Sequence, residues 1–342
     1  MNRLCPILLA AALATATPLA SAQTASFFAS RIVEYAPGDG NSLFPDSSLA
    51  LGGPRGDAGG SLHVVTLGVQ GELVLGFELG QAVTDLPGPD FIVSENPNGS
   101  PWRFAELIRV GVSTDGLSYA FFPTWCNVPG AVGPYEMIDP SLVSGFAGVE
   151  LVWANVDTNA IDPFDPAAAG GDGFDLADLA GDPLVVAGAV DLDRIYYVKL
   201  RDVLGDGSEY DDDDPANPIY DPTGFMVPPY YNPTSADVDA LSVIHGLPKP
   251  IDGDANRDGY VDGLDYVCWS SNYGQGGKSW DDGEFTGDGV VDGLDYIVWS
   301  GHYHDGTPPG GLVPEPTCAA VLAAGAVAAV GRRRRRAARR AG

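Results

Sequence analysis

Two hydrophobic periods divide this chain. From about residue 23 to 247, apolar residues recur at every second position in short runs, the spacing of half-buried strands. Glu72 to Leu79 sets Leu73, Leu75, Phe77 and Leu79 against Val74, Gly76 and Glu78, and Glu106 to Ser113 puts Ile108, Val110 and Val112 on one face. Ser113-Thr114-Asp115-Gly116 predicts a tight turn, with Leu117 to Phe122 as the returning strand of a hairpin. Asp193 to Val203 places Tyr196, Val198 and Leu200 opposite Lys199 and Arg201, while Arg31 to Tyr35 and Ala240 to His245 read as the first and last strands. No part of this body sustains a 3.6-residue period. Many short strands joined by Gly, Pro and Asp turns predict a mainly β fold, a jelly-roll-like β-sandwich over 23–247.

The second period begins after Lys249-Pro250, which reads as a linker, and fills residues 250–306. Gly259-Tyr260-Val261-Asp262-Gly263-Leu264-Asp265-Tyr266 recurs 30 residues later as Gly289-Val290-Val291-Asp292-Gly293-Leu294-Asp295-Tyr296. Wound as a helix, Leu264, Val267 and Cys268 share a face, as do Leu294, Ile297 and Val298. Tyr266, Trp269 and Tyr273 form a second stripe, matched by Tyr296, Trp299 and Tyr303. Both stripes fit the core of a two-helix module; the aromatic one also fits a partner surface.

What precedes each helix carries the chemistry. A calcium loop gathers six to eight oxygens from positions 1, 3, 5, 7, 9 and 12, with glycine at 6 for the sharp turn. Counted from Asp254 these are Asp254, Asn256, Asp258, the Tyr260 carbonyl, Asp262 and Asp265, with Gly259 at the turn. The second copy supplies Glu284, Thr286, Asp288, the Val290 carbonyl, Asp292 and Asp295, with Gly289 at the turn. Weaker binding is expected there, because Glu284 is longer than Asp and Thr286 brings only a neutral hydroxyl. These segments resemble the type I dockerin family of duplicated calcium loop–helix units. The resemblance implies two roughly antiparallel helices starting near Gly263 and Gly293, and a cohesin-like partner that links polysaccharide-degrading enzymes to a scaffold. Gly263-Leu264 and Gly293-Leu294 depart from the polar residues such recognition uses.

The two ends carry targeting signals. Met1-Asn2-Arg3, an apolar run from Leu4 to Leu19 and Ala20-Ser21-Ala22 predict a signal peptide over residues 1–22, hence export. After a linker at 307–312, residues 313–342 hold Val313-Pro314-Glu315-Pro316, an uncharged run from Thr317 to Gly331 and Arg332 to Arg336. This resembles the PEP-CTERM sorting signal, which implies an exosortase-type partner that cuts near Val313, Pro314, Glu315 and Pro316. An apolar sorting helix would anchor the chain to the membrane transiently, and a plain single-span anchor is the alternative.

Charge and composition narrow the function. Of 18 Lys and Arg, eight lie in the two ends, leaving ten against 46 Asp and Glu. A surface so acidic repels phosphate backbones, which excludes nucleic acid, and calcium is the cofactor expected to neutralise it. Cys126 and Cys268 are too few for a disulfide-built fold. Stretches such as Gly88-Pro89-Asp90-Phe91-Ile92-Val93-Ser94-Glu95-Asn96 and Phe104-Ala105-Glu106-Leu107 resemble an uncharacterised family of secreted bacterial cell-surface domains, which implies a β-sandwich without an established activity. No nucleophile elbow, zinc-binding His pair or phosphate loop is present, although paired carboxylates for glycoside hydrolysis remain open. Asp90, Glu95, Asp237 and Asp239 are candidate ligands for a further calcium, and Asp211 to Asp214 reads as a solvated loop. The expectation is a non-enzymatic surface or matrix protein, the alternative a component that binds or degrades polysaccharide.

Overall fold

The computed structural model describes residues 24–308 except 40–43, 59–60, 97, 134–135, 214 and 223–234. The expected signal peptide, the sorting residues Val313, Pro314, Glu315 and Pro316, and Asp214 lie outside the described residues. Among the described residues, no helix is long and apolar enough to cross a membrane.

Antiparallel sheets form residues 25–247. In chain order the strands of its two large sheets are β1 (Ala25–Phe28), β2 (Arg31–Ala36), β3 (Val65–Thr66), β4 (Glu72–Gly76), β5 (Ala82–Val83) and β6 (Phe91–Glu95). They continue as β7 (Ile108–Ser113), β8 (Ala120–Phe121), β9 (Phe146–Ala147), β10 (Asp172–Phe174), β11 (Tyr197–Asp202) and β12 (Asp237–Leu247). One sheet runs β1-β12-β6-β10, with β3 and β5 also paired to the long β12. The other runs β8-β7-β11-β4-β2, with β9 added on β7. Phe91, Val93, Leu241 and Val243 from the first sheet and Leu73, Leu75, Val110, Val112, Val198 and Leu200 from the second share one buried cluster. Covering these side chains is the main stabilising term of the domain.

The expected hairpin forms, with Ala120 opposite Val112, although its return strand keeps only two residues. The strand expected over Asp193 to Val203 is trimmed to β11, where Val198, Leu200 and Asp202 are buried and Tyr197, Lys199 and Arg201 half-buried. In β4 both faces are covered, Val74 being as buried as Leu73 and Leu75. The solvated loop expected at Asp211 to Asp214 is corrected for Asp211, while Asp212 and Asp213 are exposed. Asp211 is buried and accepts the Cys126 and Asn217 amides, while Asp212 accepts from Thr124 and pairs with Arg109 at 3.2 Å.

One short helix, α1 (Pro183–Val186), interrupts the β domain, and two longer ones, α2 (Gly263–Asn272) and α3 (Gly293–Gly301), follow it. They start at the expected glycines because Asp262 and Asp292 accept the Leu264 and Leu294 amides, while Asp265 and Asp295 reach back to the Asp262 and Asp292 amides. Lys249-Pro250 is not a free tether. A Cβ at Gly80 would lie 2.6 Å from the Pro250 ring, and Trp280 and Phe285 of the repeats are buried with Ala82, Tyr196 and Leu247 of the β domain.

Candidate metal centre

Each repeat loop wraps its backbone around its own acids. In the first, the Gly259 amide donates to Asp254 Oδ2 at 3.0 Å, which draws the loop into its turn. Gly259 has φ +81° and Gly289 φ +77°, a left-handed conformation that glycine adopts without steric cost. Asp265 is fully buried: its Oδ1 accepts the Ala255 and Asn256 amides at 2.9 and 3.1 Å, and its Oδ2 accepts the Asp262 amide at 2.8 Å. Asn256 Oδ1 accepts the Asp258 amide, and Asp258 Oδ1 accepts the Tyr260 amide. Asp254, Asn256, Asp258, Tyr260, Asp262 and Asp265 therefore belong to one closed turn.

One oxygen in that turn has no use in the fold. Asp254 is 1% exposed, and its Oδ1 is buried without a hydrogen-bond partner. Burial, reinforced by the charges of Asp265 and Asp258, raises the Asp254 pKa to about 6, against an amide bond from Gly259 that favours the anion. A buried oxygen facing neighbouring carboxylates is what an oxygen-seeking metal ion would satisfy.

The second loop is built alike but spends its first residue differently. Asp295 Oδ1 accepts the Phe285 and Thr286 amides at 2.7 and 3.1 Å, and its Oδ2 the Asp292 amide at 2.8 Å. Glu284, one methylene longer than Asp254, curls back so that Oε1 accepts the Thr286, Gly287 and Asp288 amides and the Thr286 hydroxyl. Asp288 Oδ1 accepts the Val290 amide. Glu284, Thr286, Asp288, Val290, Asp292 and Asp295 are thus gathered in one turn, with Glu284 Oε1 turned to the backbone.

The two loops hold each other. Trp269 of α2 donates Nε1 to the Asp292 carbonyl at 2.7 Å, and Trp299 of α3 donates Nε1 to the Asp262 carbonyl at 2.9 Å. The chain after α3 bonds to the first loop, with Val261 to Asp305 at 3.0 Å, and the chain after α2 bonds to the second, with Val291 to Gln275 at 3.0 Å. The first loop also docks onto the β domain. Arg257 pairs with Asp281 at 2.7 Å and donates to the Gly80 carbonyl at 2.7 Å and the Tyr196 hydroxyl at 3.0 Å. Arg257 sits at φ +58°, where the second loop has Gly287 at φ +80°, so its side-chain contacts offset a backbone cost of about 1–2 kcal/mol.

The helix stripes are corrected in part. Leu264 and Val267 are 59% and 55% exposed, and Leu294 and Ile297 match them at 55% and 63%, so this aliphatic stripe is surface. Cys268 and Val298 instead pack beside Trp280 and Phe285. The aromatic stripe stacks on itself across the two helices, with Tyr266 5.2 Å from Trp299 and Trp269 5.3 Å from Tyr296 between ring centres. It lines an open groove of about 500 Å³.

The four acids proposed for one further site in the β domain are not brought together. Asp90 accepts the Leu86 and Leu176 amides and pairs with His245 Nδ1 at 2.8 Å. Asp239 accepts the Arg55 and Gly56 amides. Asp237 bonds the Thr66 hydroxyl, and only Glu95, which accepts the Asp237 amide at 3.0 Å, is its neighbour. β12 shifts register between Val238 and Ala240, and Asp239 there meets partners of its own. Asp85 and Asp175 approach Asp90 closely enough to share an ion, beside the Leu86 and Leu176 amides that Asp90 already accepts. Sequence reasoning missed Arg257 and Asp281, which carry the docking contact, because their partners lie far away in the chain. Trp102 and Trp153 are 55% and 58% exposed, and Trp125 is half-buried. No family model, no curated protein and no solved structure matches the chain.

Proposed function

We propose that this is an exported cell-surface or extracellular-matrix protein whose repeat module binds calcium and whose β domain is displayed for binding or structure, without catalysing a reaction. The observation that carries the reading is Asp254 Oδ1, buried without a partner inside a turn of acids with ligand spacing. On this reading the module is dockerin-like, the β domain a jelly-roll-like sandwich, and residues 313–342 a sorting signal for an exosortase-type enzyme. The first loop is the tighter site, since Asp254 offers a buried oxygen with no other bond, whereas Glu284 Oε1 is held by three amides and the Thr286 hydroxyl. Calcium titration of the full chain, followed by helical circular dichroism, tests the proposal: structure over 250–306 should grow with calcium. A chain whose dichroism and melting ignore calcium would defeat it.

A second reading, polysaccharide binding, is favoured by the exposed Trp102 and Trp153. Trp102 borders a cleft of about 260 Å³ with Val128, Met137 and Leu142, and its exposed ring is the kind of face a sugar can stack on. A glycan array on the full chain, with and without calcium, should report neutral or cationic glycans, with anionic ones only in calcium. Unchanged glycan binding in Trp102→Ala would remove Trp102 from this role. Calcium-dependent release of reducing ends would restore the enzymatic alternative.

A further inference from the structure

A second group of acids meets inside the β domain, away from the repeats. The register brings it together: β6 ends on Glu95 opposite Val238 of β12, and β11 ends on Asp202 opposite Ile108 of β7. Glu95, Glu106, Asp202 and Asp237 therefore gather at one end of the two sheets, joined by Asp221. Several of their oxygens serve the backbone. Asp202 accepts the Gln70 and Ala236 amides at 2.9 and 3.1 Å, Asp221 accepts the Leu107 amide at 3.1 Å, and Glu95 Oε1 accepts the Asp237 amide at 3.0 Å.

Two oxygens differ. Glu95 Oε2 and Glu106 Oε1 are buried with no hydrogen-bond partner, on residues only 2% and 6% exposed. Gly148 packs against both residues, since a Cβ there would lie 2.0 Å from the Glu106 backbone carbonyl and 3.7 Å from Glu95 Cγ, and the Glu95 charge acts on the Glu106 carboxyl. Among the described residues, neither glutamate has an ion pair with Lys, Arg or His. Burial first, and then the charges of Glu95, Asp237, Asp202 and Asp221, pushes the Glu106 carboxyl well above its ordinary range. Two ionised carboxylates left this way would cost more than a folded domain can spare, so the pair is neutralised by a proton or by a cation between them.

We propose that Glu95 Oε2 and Glu106 Oε1 hold a divalent cation, completed by water and backbone carbonyls, which ties the end of one sheet to the end of the other. An all-oxygen set of hard carboxylates selects calcium over zinc or copper. This site is independent of the repeat loops and stands or falls apart from them.

The test uses the full chain with both loops disabled by Asp258→Ala and Asp288→Ala, stripped with chelator and dialysed against calcium. Bound metal is counted by atomic emission, and unfolding of the β domain is followed by melting. The loop-disabled chain should keep one calcium and melt higher in calcium than in chelator. Adding Glu95→Gln or Glu106→Gln should abolish both effects. A loop-disabled chain that binds no calcium overturns the proposal, as does one whose bound ion survives both glutamine variants. Glutamine variants that melt higher than their parent, with no calcium response in either, would assign the pair a shared proton and equally overturn it. Should Glu106→Gln fail to fold, Glu95→Gln alone decides. Loss of the loop ions with retention of this one would separate failure of the repeat-module reading from failure of this proposal.

Discussion

Asp265→Ala and Asp295→Ala, compared in chelator and in calcium, separate what the twelfth loop residue does for the fold from what it does for an ion. Each carboxylate is fully buried and accepts three backbone amides at 2.7 to 3.1 Å. Truncation orphans three donors at about 1–3 kcal/mol apiece, and water entering the vacated space holds the sum near the lower end, about 3 kcal/mol. Without metal the two variants should therefore destabilise the module alike, within about 1 kcal/mol of each other, since their amide sets are equivalent. In calcium a hundredfold above the dissociation constant of the first loop, the parent gains about 2.7 kcal/mol at that site. Asp265→Ala should forfeit that gain, whereas Asp295→Ala should forfeit less, because Glu284 Oε1 is committed to the backbone. Urea denaturation of the full chain, read by helical circular dichroism, measures all four values. Unequal losses in chelator, or equal extra losses in calcium, would refute the reasoning.

Other consequences are open to measurement. Arg257→Ala removes the pair to Asp281 and the donors to Gly80 and Tyr196, at a cost of about 3 kcal/mol, and calorimetry should then resolve separate transitions for module and β domain; an unchanged profile would show that Trp280 and Phe285 suffice for docking. Leu264→Asn and Ile297→Asn should each change stability by less than about 0.5 kcal/mol, because both side chains are more than half exposed; a larger loss would return the aliphatic stripe to the core. Asp172 is pushed up to about 7 by burial, despite accepting the Gly148, Val149 and Glu150 amides. Its folded pKa lies above the unfolded value, so the fold holds its proton more tightly, and stability should fall as pH rises from about 4 to 7 and level off above. The slope is at most about 1.4 kcal/mol per pH unit. Asp172→Asn should flatten that part of the pH profile measured in chelator, and an unchanged slope would acquit Asp172.

Much of the module was legible in the sequence because its determinants are local. Asp262 and Asp265 sit within one turn of the helix they start, and the start near Gly263 was expected from the resemblance to duplicated loop–helix units, with the copy at Gly293. The buried face of those helices was not legible. Spacing offered two stripes, and the β domain chose between them by covering Trp280, Phe285, Cys268 and Val298 while leaving Leu264 and Ile297 in water. Strand positions were readable where one face is polar, as at Lys199 and Arg201, and misread in β4, whose two faces are both covered. The acids of the β domain were least legible. Glu95, Glu106, Asp202, Asp221 and Asp237 come from five separate segments, and only the strand register, with its shift in β12, decides which of them meet.

The central claim is that the first repeat loop is a calcium site built around Asp254. Calorimetric titration of chelator-stripped full-length protein with calcium, set beside Asp254→Asn, tests it most directly. The account predicts saturable binding in the parent whose tightest phase disappears in Asp254→Asn, while the second-loop phase remains. Absence of saturable binding in the parent, or a tightest phase that survives Asp254→Asn unchanged, would contradict it.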